Sequence, residues 1–288
     1  MGWAAVAAWT GMLAGLRAGT TDFALRPERW ETRATIPIVE NILRAPLSGP
    51  AAVDQLEERL SSAQGSAGLL AAGFESLGVR PATANRTENW SPASFYAPAE
   101  LAVTLITLIS HLNTARIDLA AAVASLPPEE RARAKNAVDV ALGDNAFLPT
   151  RGADFDAALR FDLPRLAAAG LAAASAVDDA LPALEHARKN AQWHGTSYIN
   201  SPIGKIFISA GDVEFGPEEL ATAGLIIHLS GKTKYKGPAA AASEGQVRVI
   251  IDLGGPVVIE SSGPAAGSGD FGIGLLYLLG PGPHEVHV

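Results

Sequence analysis

The chain's stock of reactive side chains is narrow: six histidines, 30 carboxylates and no cysteine. Without cysteine there are no disulfides, thiolate zinc sites or cysteine nucleophiles. The histidines are His111, His186, His194, His228, His284 and His287, and none has a histidine four residues on at helical metal-site spacing. His284 and His287 could share a metal on a loop, but a solvent-facing pair is the plainer reading, and no metal is expected. His111 lies beside a leucine seam and reads as a boundary residue with a hydrogen-bonded ring. Asp154 and Asp156 flank Phe155; side chains two apart diverge on a helix, which suits a cap better than an acid–base pair. Asp212 and Asp252 fall at different positions of the repeat described below, Asp252 aligning with His228 and Ile208, so they should form no ladder. No carboxylate pair has the spacing of glycosidase work. There is no Gly-x-Ser-x-Gly elbow and no phosphate loop, and "GSGDFGIG" resembles a glycine fingerprint in composition alone. No catalytic constellation stands out, and no cofactor is expected.

One candidate binding patch remains, "KTKYK": Lys232, Lys234, Tyr235 and Lys236 place cations beside an aromatic ring. Such a patch suits an acidic glycan. Its plainer reading has Tyr235 pointing inward and the lysines forming an ordinary solvated edge. The net charge of −8 and the lack of a basic face argue against nucleic acid as a partner.

The elements that would carry these residues fall into two kinds. With 48% hydrophobic and 18% charged residues, the chain can bury a core and is not disordered. Up to about residue 190 the punctuation is helical. At the start, Val6, Trp9, Leu13 and Leu16 recur at helical spacing within an apolar stretch too short for the ~20 residues that span a bilayer. It reads as an amphipathic helix docking on the protein itself, with membrane-surface contact by residues 3–16 as the lesser reading. Ser48 and Pro50 open a helix through Leu56 and Leu60. Gly78 follows the run Leu69, Leu70, Phe74 and Leu77, where a C-terminal cap would sit.

The clearest helix follows Pro98. Leu101, Leu105, Leu108, Leu112, Ala115, Leu119, Ala122 and Leu126 alternate steps of four and three, the seam that an antiparallel helix pair or bundle requires. Pro127 and Pro128 end it. "PEERARAKNAVDVALG" begins the next helix, and Asp162 caps another that carries Leu163, Leu166, Leu171, Val177, Leu181 and Leu184.

Near residue 193 the composition changes: one arginine remains, glycine becomes frequent and apolar runs turn short and β-branched. The expected division is an α-helical domain over 1–192 and a second domain over 193–288. The second part repeats itself. "IFISAGDVEF" (206–215), "LIIHLSGKTKY" (225–235) and "VIIDLGGPVVI" (249–259) each run apolar, turn at Gly211, Gly231 or Gly255, and end at Phe215, Tyr235 or Ile259. A looser fourth copy spans 275–288. "GPAAAAS" follows the second copy and "GPAAGS" the third. Offsets of 20 to 26 residues with turns at glycine are expected of a parallel β-solenoid, each coil pairing with the coils before and after it. An antiparallel meander is the alternative.

"DLGG" at 252–255 and "GKTKYKGPA" at 231–239 give this region a resemblance. It is similar to uncharacterised bacterial proteins whose parallel β-helix coils repeat Asp-Leu-Gly-Gly-Asn-Asp-x-Tyr followed by Gly-Pro-Ala. The Asn-Asp pair departs to Lys232-Thr233, Pro256-Val257 and Asp212-Val213. The resemblance covers about 85 residues and implies a fold, not an activity.

The expected fold class is therefore α+β, an N-terminal all-α helical bundle followed by a C-terminal parallel β-helix. A single 20-residue offset would stack Phe215 under Tyr235 inside the coil and set Asp212 beside Lys232 and Glu214 beside Lys234 outside. The chain reaches residue 288 inside or just after a β run, so a protein partner, self-association or further coils are expected at that open solenoid end. The expected role is non-enzymatic, structural or in assembly; a carbohydrate-binding or carbohydrate-acting β-helix protein is the alternative.

Overall fold

The computed structural model of the protein describes residues 37–45, 49–83, 89–90, 99–142, 152–190 and 194–287. The amphipathic stretch 3–16, the Ser48 cap, Pro98 and Gly143 lie outside the described residues. By packing the chain divides into two compact units, residues 1–64 with 68–80, and residues 65–67 with 81–288.

In the smaller unit run α1 (Pro37–Arg44), α2 (Gly49–Ser62) and most of α3 (Gly65–Ser76). Neither α2 nor α3 has a fully buried residue, and Arg59 of α2 pairs with Glu75 of α3 at 3.4 Å. Gly78 has φ +71 directly after α3, the left-handed stop expected there.

The larger unit begins its regular structure with α4 (Ala99–Ala124), α5 (Pro128–Leu142), α6 (Ala153–Leu159) and α7 (Leu163–Asn190). All eight seam residues from Leu101 to Leu126 are buried, none above 3% exposed, and α4 packs on α7. On α7 the expected face is the buried one only in part: Val177 and Leu184 are fully buried. Leu163 is exposed, and Leu166 and Leu181 are only partly covered. The interior side is Ala169, Ala173, Ala176, Val177, Ala180, Leu184 and Ala187. Small side chains let a neighbouring backbone approach closely, so an alanine-rich stripe with Val177 and Leu184 becomes the interface.

Strands follow from Gly195, and four coils form. β2 (Gly204–Ala210), β4 (Ala223–His228), β6 (Val247–Asp252) and β8 (Ile273–Leu278) build one sheet, A. β3 (Val213–Phe215), β5 (Thr233–Lys236), β7 (Val257–Glu260) and β9 (His284–His287) build the other, B. Every pairing between coils is parallel. The protein is thus α+β, a helical region followed by a parallel β-solenoid.

Two local elements carry no clear signal in the sequence. β1 (Gly195–Ser201) pairs antiparallel with β2 and covers the first edge of sheet A. α8 (Pro217–Thr222) links the first two coils, and Arg248, the one arginine of this region, bonds the carbonyls of Leu220 and Ala221 near its end.

Sheet A is covered on both faces. Ile206, Ile208, Leu225, Ile227, Val249 and Ile251 share one core with α4 and α7. Phe207, Ile226 and Ile250 point the other way, into the solenoid interior with Phe215, Tyr235 and Ile259. That double burial explains why the strands read as continuous apolar runs instead of alternating. Arg131 and Lys135, one turn apart on α5, pair with Glu244 and Asp270 on successive coils.

The register differs between the sheets. Between the first two coils sheet B keeps the 20-residue offset, Phe215 opposite Tyr235, but sheet A runs at 19, Ser209 opposite His228, whereas the second and third coils are 24 residues apart in both sheets. The extra residue sits at the corner of the second coil, beside Gly231. There the φ is +93, and a Cβ would lie 2.3 Å from the backbone carbon of Gly211. Only glycine fits so close a corner.

Candidate functional site

Of the "KTKYK" patch, Lys234 and Lys236 belong to β5, where alternation decides which side chains meet solvent, and Lys232 directly precedes it. Tyr235 is fully buried and stacks on Phe215, ring centroids 5.5 Å apart and planes 8° apart, so this ring is not part of a surface patch. Lys232, Lys234 and Lys236 do face outward. Their charges are largely answered. Lys234 pairs with Glu260 and Lys236 with Glu214, each at 2.7 Å. The expected Glu214–Lys234 pair is in register along the backbone, but the ion pairs run diagonally, because a long lysine side chain reaches a carboxylate two positions along the next strand. Asp212 accepts a hydrogen bond from the Lys232 backbone N–H at 2.8 Å and thus acts as a turn acceptor. The bond to Glu214 raises the Lys236 ammonium above its ordinary range, and Lys234 holds the Glu260 carboxyl below its usual one.

Inside the solenoid a different cluster comes together. Ser209, His228 and Asp252 occupy one column of sheet A, each fully buried. Asp252 therefore aligns with Ser209, and not with Ile208, the one-residue consequence of the shifted offset. Ser209 Oγ lies 2.8 Å from His228 Nδ1, and His228 Nε2 lies 3.3 Å from the Gly231 carbonyl. A carbonyl only accepts, so Nε2 carries a proton, and in the neutral ring the serine hydroxyl then donates to Nδ1. Asp252 is engaged elsewhere: Tyr235 Oη donates to its Oδ2 at 2.8 Å and the Gly254 N–H to its Oδ1 at 2.9 Å. Burial first, then the negative Asp252, push the Tyr235 phenol well above its ordinary value.

The column has the residue types of a hydrolase triad without its geometry. The carboxylate does not orient the imidazole, and the serine is sealed from solvent, so no acyl group can reach it. Its role is structural: a satisfied polar network that holds one coil register. The polar residue near the end of each run, "ISA", "IHL" and "IDL", was the visible signal. It lines up only at the 19-residue offset.

The other candidates do not converge. Asp154 and Asp156 sit in the first turn of α6, Asp154 accepting from Asn136 Nδ2 at 2.5 Å. His284 and His287 lie on β9, opposite Val257 and Glu260. Val257 faces the interior and Glu260 faces solvent, so the two imidazoles point to opposite sides and cannot share a metal. Among the described residues no group of three or more histidines and carboxylates could hold a metal. Asp178 of α7 accepts from the N–H groups of Ser66 and Ala67 at 3.1 and 3.0 Å and from the Ser66 hydroxyl, which also meets Tyr277 of β8 at 2.5 Å. This is a cap supplied from another helix. Among the described residues, α7 alone is long and apolar enough to cross a membrane by length and composition, and half of that stretch is buried in the protein.

The surface that remains is the outer edge of the last coil. Among the described residues β8 and β9 each have one strand neighbour. Leu276 and Leu278 are half-buried, Leu279 and Val286 are 45% and 44% exposed, and all of β9 is exposed. A strand edge with apolar side chains presents unpaired N–H and C=O groups beside surface that water disfavours.

Fold and edge together define the class, a two-sheet parallel β-solenoid flanked by helices. No protein family, curated protein or solved structure matches the chain.

Proposed function

We propose that this protein is a non-enzymatic structural or assembly component whose last solenoid coil is completed by another polypeptide. One observation carries the reading: β8 and β9 offer two parallel strand edges at once, with Leu279 and Val286 exposed beside them. A partner adding a strand to either edge gains main-chain hydrogen bonds and covers this apolar surface. The resemblance to bacterial repeat proteins with Gly-Pro-Ala coils belongs to the same proposal.

The carbohydrate reading has less behind it. Tyr235 is inside, and two of the three patch lysines are ion-paired. Titration of the purified protein with an acidic polysaccharide separates the two. The assembly reading expects no binding that Lys234→Ala weakens, and expects association that a Val286→Lys change at the edge abolishes. Polysaccharide binding lost in Lys234→Ala, with no edge-dependent association, would reverse the assignment.

A further inference from the structure

We propose that the polypeptide completing the last coil is a second copy of this chain, joined edge to edge about a two-fold axis through Leu276 and Val286. The inference rests on the assembly reading and names its partner.

Two constraints fix the arrangement. The first is which side chains face inward. Val286 aligns with Ile259, which is buried in the interior, and Leu276 aligns with Ile250, which is buried there too. Residues directly opposite in an antiparallel pair share a face. A continuous interior across the junction thus requires inward residues to meet inward residues, which excludes every second register.

The second constraint is charge. On β9 the outward residues are Glu285 and His287, 3.4 Å apart within the strand. An axis at Val286 sets Glu285 of each copy opposite His287 of the other, twice, with valine on valine inside. An axis at Glu285 would oppose two glutamates. Complementarity therefore selects Val286.

The same axis serves the other sheet. Phe207 and Phe215 meet across the interior with ring centroids 5.8 Å apart. Their columns run Phe207, Ile226, Ile250, Leu276 and Phe215, Tyr235, Ile259, Val286. Leu276 and Val286 hence line the same interior in the last coil, and the proposed axis is placed by both. Sheet A then continues with leucine opposite leucine. The contact is isologous and closed, so it stops at a dimer.

The chain has no cysteine, so single cysteines report the register directly. The 288-residue chain is expected at twice its own mass by light scattering. Val286→Cys and Leu276→Cys should each form covalent dimers on mild oxidation, while Glu285→Cys should not. Glu285→Lys is expected to raise the dimer dissociation constant at least about tenfold, and adding His287→Glu should restore it. A monomeric wild type at high concentration overturns the proposal, as does crosslinking through residue 285 in place of 286. If the wild type is monomeric yet binds a different protein in a manner lost on Val286→Lys, this inference fails while the assembly reading survives. If neither association occurs, both fail.

Discussion

Tyr235 reaches from sheet B across the solenoid interior and donates a 2.8 Å hydrogen bond to Asp252 of sheet A, both side chains being fully buried. The pair ties two coils and two sheets at one point. Tyr235→Phe keeps the ring on Phe215 but leaves Asp252 one donor short. It should cost about 1–3 kcal/mol of unfolding free energy. Tyr235→Ala also empties the stack and should cost about 3–5 kcal/mol. Urea unfolding of the three proteins checks both values.

The same phenol sets an alkaline limit. Its folded value lies well above the ordinary range near 10, so the fold holds it neutral. Above about pH 10 the unfolded chain releases this proton and the folded one keeps it, so the unfolded state binds fewer protons and stability falls as pH rises. The contribution is fully present below pH 10 and lost upward from there. Stability measured from pH 8 to 11.5 should fall less steeply in Tyr235→Phe than in the wild type.

Gly231 should tolerate no side chain. Its φ is positive, and a Cβ at this position would meet the Gly211 backbone at 2.3 Å, so alanine strains the chain and pushes two coils apart. Gly245 has φ +73 with nothing within 4 Å of such a Cβ. Gly245→Ala should cost about 1 kcal/mol and Gly231→Ala at least twice that, judged by thermal or urea unfolding.

Ala240 and Ala266 follow Gly237-Pro238 and Gly263-Pro264 at the same distance and share a left-handed backbone, φ 52 and 55. Ala266 is exposed, so its Cβ contributes strain without packing. Ala266→Gly should leave stability unchanged or raise it by up to about 1 kcal/mol, and Ala266→Val should lower it.

On the outer face of sheet B the ion pairs are diagonal. A double-mutant cycle on Glu214 and Lys236 should therefore show coupling that fades with salt, and one on Glu214 and Lys234 should show less.

Periodicity alone determined the α4 seam, the solenoid coils and the inward Phe215–Tyr235–Ile259 column. Each depends on spacing within a segment or on a repeat visible in one dimension. Three things depended on packing partners that no single segment carries. The buried face of α7 was decided by packing on α4, where alanines joined Val177 and Leu184 while Leu163, Leu166 and Leu181 stayed outside or at the margin. Lys236 found Glu214 by side-chain reach instead of backbone register. The buried Ser209, His228 and Asp252 column appeared only when the corner at Gly231 absorbed one extra residue, giving the two sheets offsets of 19 and 20. Between two neighbouring copies, a repeat read as a string has one offset. A folded coil has two sheets, and a corner that gains a residue gives each sheet its own, while corners of equal length keep a shared offset of 24 between the second and third coils.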